Sequence, residues 1–252
     1  MTPTTVADIL RLITREPGRP RITWYGDGGE RVELSGAVLE NWVNKTVNLL
    51  VEEFDVEPGT RVLIDLPPHW RTVVWALAVW RAGACVVLSQ EGGATVEVDA
   101  IVTDRPLHHL DMTVPIVAVS LPALARRFDG ELPPGTIDAA SAVMTYGDAL
   151  GWVLPESPAH PALATAATDL THADLSSEMA GPSASALGQQ RVLVQAKDDR
   201  VIGTEEFARA ALRILASGGS LVGLDPSLVT SHTATPQRWE RLVKDERITT
   251  TL

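Results

Sequence analysis

Three groups of chemically competent side chains stand out in the sequence. His108 and His109 are adjacent, with Asp104 and Asp111 close by. Two imidazoles and two carboxylates suit a metal in composition, but neighbouring histidines point in different directions and no third His or Cys stands at ligand spacing. A solvated loop is expected there. Lys197, Asp198 and Asp199 form a charged run just past an apolar, β-branched segment. Open α/β sheets bind ligands at the carboxyl ends of their strands, so Lys197 and Asp198 are candidate ligand contacts, weighed against an exposed turn. Cys85 lies in an apolar run (residues 83–88), where a thiol is inert packing rather than a nucleophile. His69 follows two prolines at the head of an apolar segment, a place for capping or packing. Serine-based covalent catalysis has no support, because the Gly-x-Ser-x-Gly elbow does not occur. Residue types and spacing therefore assign no catalytic residue and no metal ligand.

The elements that would position these groups alternate in type. Residues 5–15 form an amphipathic opening helix, and residues 21–35 two short strands around a Gly-Asp-Gly-Gly turn whose glycines supply positive φ. That glycine cluster joins strand to strand, so it is not a dinucleotide fingerprint. Val38, Trp42, Val43, Val47, Leu49 and Leu50 recur at helical spacing after Ser35, a candidate N-cap. A strand (61–66), a helix apolar nearly all round (69–82) and a second strand (84–88) have the texture of a βαβ unit inside a covered parallel sheet. Trp70, Trp75 and Trp80 in this helix read as core filling. Strands at 98–104 and 114–120 follow, the second leading into a short helix at 121–128. Residues 129–188 lose periodicity and read as an irregular connector with short helices, one begun by Thr171 with Asp174 three residues on. A strand at 191–196, a helix at 204–217 capped by Thr204, a strand at 220–224, a helix with Pro236 in its first turn and a closing strand complete the chain.

The fold class is α/β: doubly wound, mostly parallel sheets with helices on both faces and a small N-terminal hairpin. The organisation expected is a first lobe at 1–128, the connector at 129–188 and a second lobe at 189–252, an arrangement that can also close into one compact domain. With 252 residues, 45% of them apolar, the chain can bury a sizeable core. A formal net charge of -11 and the lack of a Lys/Arg stripe oppose a nucleic-acid role. One cysteine rules out an internal disulfide and fits a reducing compartment. No secretory pattern opens the chain, and its most apolar helix candidate is far shorter than the roughly 20 residues of a bilayer span, so a cytoplasmic, soluble protein is expected without a membrane partner.

The run from Gly59 to Ser89 resembles the early core of the adenylate-forming superfamily, the AMP-binding acyl-CoA synthetases and their relatives. There a strand ending in Leu-Pro precedes an apolar helix ending in Arg-Ala-Gly-Ala; here these are Leu66-Pro67 and Arg81-Ala82-Gly83-Ala84. The segments at 207–226 and 238–252 are similar to the stretch that follows the family's phosphate loop. That loop is rich in Ser, Thr and Gly, ends in Pro-Lys-Gly and is followed by a Ser/Thr-His element. Its glycines let backbone N–H groups converge on the triphosphate, and its lysine neutralises developing charge. Thr171 and His172 in Leu-Thr-His-Ala-Asp-Leu match the element after the loop, which makes them candidate ligand contacts beside the plainer role of helix capping. The preceding Ala-Leu-Ala-Thr-Ala-Ala-Thr-Asp holds neither glycine nor lysine, and its alanines favour helix. The resemblance also puts the family's adenine- and ribose-binding residues, its magnesium-associated glutamate and its lid beyond Leu252.

Phosphoryl transfer depends on positioned donors and metal, so loss of the cradle implies loss of adenylation. The expectation is a degenerate relative of these enzymes without ligase activity, a binding or interaction module needing no cofactor. Its expected partners are a protein, a second copy of itself, or an acyl or aromatic small molecule. The alternative is an acid–thiol ligase or ligase subunit that binds ATP/AMP with parts supplied by a partner chain.

Overall fold

A computed structural model describes residues 2–89, 97–195, 197–233 and 235–252. Helix α1 (Val6–Ile13) opens the chain. Its N-cap Thr5 accepts from the Asp8 amide while Asp8 returns a bond to the Thr5 N–H, and Val6, Ile9, Leu10 and Ile13 are buried at helical spacing. Strands β1 (Pro20–Tyr25) and β2 (Arg31–Ser35) follow, then α2 (Gly36–Phe54), β3 (Arg61–Asp65), α3 (Trp70–Arg81) and β4 (Cys85–Val87). Gly83, at φ +77°, ends the turn after α3, and a Cβ there would lie 2.9 Å from Pro58 Cγ. Next come β5 (Ala100–Thr103), β6 (Ile116–Ala118), β7 (Ile137–Asp138), the one-turn α4 (Ala139–Ala142), β8 (Pro161–Ala164) and β9 (Asp169–Thr171). The last stretch holds α5 (His172–Ala180), α6 (Pro182–Leu187), β10 (Arg191–Gln195), α7 (Ile202–Ala216), β11 (Ser220–Leu224), α8 (Pro226–Thr233), α9 (Pro236–Asp245) and β12 (Thr250–Thr251).

The chain forms two compact units, each discontinuous in sequence. The first comprises Met1–Glu40, Pro67–Val73 and Leu175–Leu252; the second comprises Asn41–Leu66 and Val74–Asp174. The first unit holds a sheet of order β12-β10-β11-β1-β2, parallel except for β2, which runs antiparallel to β1. The second holds a sheet of order β7-β6-β5-β3-β4-β8-β9, parallel except for β9, antiparallel to β8. The α/β class and the mostly parallel pairing are those expected of the sequence, and β1–β2 is the expected N-terminal hairpin. Leu193, Val222, Leu224 and Leu242 pack in the first unit, and Leu63, Cys85, Val87, Ile101 and Ile116 in the second. Trp70, Trp75 and Trp80 are all buried, as core filling requires.

Three local expectations are corrected. Residues 121–128 form turns rather than a helix: Ser120 Oγ donates to the Arg127 carbonyl at 3.0 Å, closing the segment into a loop, and Leu124 is exposed. So short a helix has nothing to bury and cannot offset the cost of its own nucleation. Helix α7 begins at Ile202, ahead of Thr204, because the Asp199 carboxylate accepts from the amides of Val201 and Ile202 at 2.8 and 2.6 Å. The alanine-rich stretch before Thr171 is no helix either; it is the strand β8 and a tight turn.

Candidate functional site

Strand β8 lies parallel to β4, with Val86 opposite Leu163 and Val87 opposite Ala164. Ala162, Leu163 and Ala164 are buried, and the Trp80 indole N–H donates to the Ala162 carbonyl at 2.7 Å. A row of ladder partners and a buried site for small side chains outweigh the few tenths of a kcal/mol per residue by which alanine favours helix.

The turn that joins β8 to β9 spans residues 165–168. Thr165 N–H donates to the Thr168 carbonyl at 2.7 Å, and the Thr165 hydroxyl oxygen accepts from the amides of Ala167 and Thr168 at 3.1 and 2.9 Å. In a phosphate loop such amides point at an anion; here three of them are committed within the turn. The lack of a nest expected from helix propensity is present, but its cause is a threonine-closed hairpin and not a helix.

Thr171 caps α5. Its hydroxyl donates to the Asp174 carboxylate at 2.6 Å and accepts from the Asp174 amide at 3.2 Å, while Asp174 accepts from the Thr171 amide at 2.8 Å. This is the expected reciprocal cap. His172 is buried, its amide donating to the His160 carbonyl at 3.0 Å and its ring bonded to the backbone of Gly83 and Ala84. Burial holds its pKa below the usual imidazole value despite those bonds. Its Nε2 is buried with no partner among the described residues. Lys197 and Asp198 are exposed, Lys197 Nζ lying 2.7 Å from Glu206 Oε1. Thr171 and His172 are thus brought together at the start of α5, and Lys197 and Asp198 belong to a solvated turn of the first unit.

His69 both caps and packs. Its Nδ1 accepts from the Arg71 amide at 3.2 Å, and its ring meets Trp24 edge-on with centroids 4.8 Å apart. Burial, with the Arg71 charge beside it, pushes its pKa down to about 3. Burial likewise pushes the Cys85 thiol up to about 11, far from thiolate chemistry at neutral pH.

A further cluster escaped the sequence reading. Asp65, the last residue of β3, is buried at the carboxyl edge of the second unit's sheet. Its carboxylate accepts from Thr103 Oγ1 at 2.8 Å and Arg105 Nη2 at 2.7 Å, and His109 Nε2 lies 3.0 Å from it. Burial alone would raise its pKa; the bonds from His109, Arg105 and Thr103 overcome that and hold it far below the usual carboxylate range. His109 therefore does not sit in a solvated loop, as its sequence context suggested. It lies in a short 3-10 helix, Pro106–His109, mostly withdrawn from water. The available signal was an aspartate closing an apolar strand, where a charge requires partners. Among the described residues no group of three or more His, Cys, Asp or Glu is arranged to hold a metal ion, and no helix is long and apolar enough to cross a membrane.

No family model matches the chain. A TIGR03089 family protein of Mycobacterium tuberculosis is 35% identical over 247 residues, covering 93% of this chain and 96% of that protein. Among solved structures, an acyl-CoA synthetase of Brucella canis superposes with a TM-score of 0.74 at 14% identity, over 96% of this chain and 46% of that one. The amide bond synthetase McbA of Marinactinospora thermotolerans superposes at 0.67 with 19% identity, over 98% and 48%. Acetoacetyl-CoA synthetase of Streptomyces lividans gives 0.67 at 17%, over 87% and 38%. The chain thus has the fold of part of these synthetases and spans less than half the length of each.

Proposed function

Because the chain belongs to the TIGR03089 family and folds like part of an acyl-CoA synthetase, we propose that it has no adenylating activity and acts as a nucleotide-independent binding or interaction module. The observation that carries this reading is the closed turn at 165–168. Adenylation needs donors aimed at a triphosphate. Where the resembling enzymes place a Gly- and Lys-containing loop, this chain has Thr-Ala-Ala-Thr, with the amides of residues 165, 167 and 168 bonded internally. Freeing those amides would cost the hydrogen bonds that shape the hairpin. The reducing compartment suggested by a single, buried Cys85 fits a cytoplasmic setting for the module.

The test is ATP–pyrophosphate exchange by the purified full chain with magnesium and a panel of aliphatic and aromatic carboxylic acids, alongside calorimetric titration of MgATP. No exchange and no saturable heat are expected. Substrate-dependent exchange would overturn the reading. A second reading draws on the solved relatives being about twice as long: this chain could be one part of a ligase completed by another polypeptide. Exchange that appears only with a copurifying chain would favour it.

A further inference from the structure

The Asp65 cluster borders a cleft within the second unit. The cleft has a volume of about 470 Å³ and is lined by, among others, His109, Met112, Thr113, Pro133, Pro134 and Thr136. Cavities of this size hold small organic molecules. Its chemistry is one-sided. Pro115, Pro133 and Pro134 present C–H faces and Met112 a polarizable thioether, surfaces that suit an aromatic ring, while polar side chains are few. Met112 and Leu110 are exposed, so apolar wall is left in water.

His109 is oriented by the carboxylate behind it. An ionised Asp65 only accepts, so the ring nitrogen 3.0 Å from it, Nε2, carries a proton. A ring that carries its proton on Nε2 has its acceptor lone pair on Nδ1, which has no hydrogen-bond partner among the described residues. Thr103 and Arg105 fix Asp65 in turn, so the imidazole is held by a buried network and not by a mobile side chain. We propose that this cleft binds a compact aromatic molecule with one hydroxyl, a phenol, whose O–H donates to His109 Nδ1 while its ring lies against the proline and methionine wall. The site goes beyond the nucleotide-independent reading and does not depend on it, since pyrophosphate exchange and phenol binding are separate measurements.

The experiment titrates the full chain with 4-ethylphenol, ethylbenzene and 4-ethylanisole, followed by ligand-observed NMR. The three share an apolar body, but only the phenol can donate. A site built to pair a hydroxyl should prefer the phenol by about tenfold or more over both others. His109→Phe, which keeps a ring and loses the acceptor, should bring the three within about twofold of each other, and Met112→Trp, which fills the cleft, should weaken the phenol about fivefold or more. Equal binding of phenol and anisole to the unaltered protein overturns the proposal without reliance on any variant's folding. So does an unchanged preference in His109→Phe, or no saturable binding of the phenol at millimolar concentration.

Discussion

Both sheets are parallel through their interior, and both gain one antiparallel edge strand through a hairpin, yet the two turns are made of different chemistry. The β1–β2 turn uses Gly28 and Gly29 at φ +66° and +85°, with space around each for a side chain. The β8–β9 turn uses no glycine and is closed by one threonine hydroxyl that takes two amides. The first is shaped by backbone freedom, the second by a side chain bonding to backbone. A hairpin of the second kind satisfies itself and leaves those amides nothing to offer an anion. The buried carboxylates differ in a parallel way. Glu246 in the first unit is hemmed in by Arg31, Arg191 and Tyr25. Asp65 in the second also anchors a histidine that borders a cleft. Similar electrostatics serve packing in one unit and hold an imidazole beside a cavity in the other.

The largest test of that contrast is Glu246→Leu. It leaves two guanidinium groups without their buried partner, and loss of about 3 kcal/mol is expected in urea denaturation. Asp65→Asn retains hydrogen-bonding capacity and should destabilise less while releasing His109; equal losses would mean that the two clusters are alike in role.

The next effect is pH dependence. His69 in the first unit has a folded pKa of about 3 against an ordinary value near 6.5, so the unfolded chain binds the extra proton. Stability from this group is complete above pH 6.5 and falls as pH drops toward 3, by about 2 kcal/mol at pH 5. His172 in the second unit acts in the same direction. Glu246, which burial would raise but Arg31, Tyr25 and Arg191 hold at about 2, contributes stability present above pH 4.5 and lost as pH falls toward 2. Thermal melts at pH 7.5 and pH 5 should therefore separate the wild type from His69→Phe, which lacks the first loss; an identical slope in both would remove His69 from the account.

Smaller still is Thr165→Val, which deprives the amides of Ala167 and Thr168 of their acceptor at a cost of about 1 kcal/mol. Chemical denaturation reads it, and amide hydrogen exchange should quicken at these two positions. Gly28→Ala, strained by its positive φ but not crowded, should cost about 1 kcal/mol by the same measurement. If Gly28→Ala were clearly the more damaging, the first hairpin rather than the second would be the one with less latitude.

Short-range signals were legible. The caps at Thr5 and Thr171, the hairpin glycines, the apolar α3 with its flanking strands and Pro236 at the head of α9 all depend on residues a few positions apart. The candidate site was legible only in part. Thr171 and His172 were found at the head of α5, but the role of their neighbours was misjudged, because alanines at 162 and 164 follow the ladder offered by β4 rather than their own preference. His109 looked solvated because nothing near it in sequence shows its partner, Asp65, 44 residues away.

By itself the sequence determined the α/β class, the succession of most elements and the absence of glycine and lysine where a phosphate loop would stand, since composition and periodicity act through neighbours along the chain. Tertiary structure alone decided strand order, the conversion of an alanine run into a strand laid between β4 and β9, and the pairing of Asp65 with His109. Those outcomes depend on which distant backbone groups and charges must satisfy one another once water has been excluded.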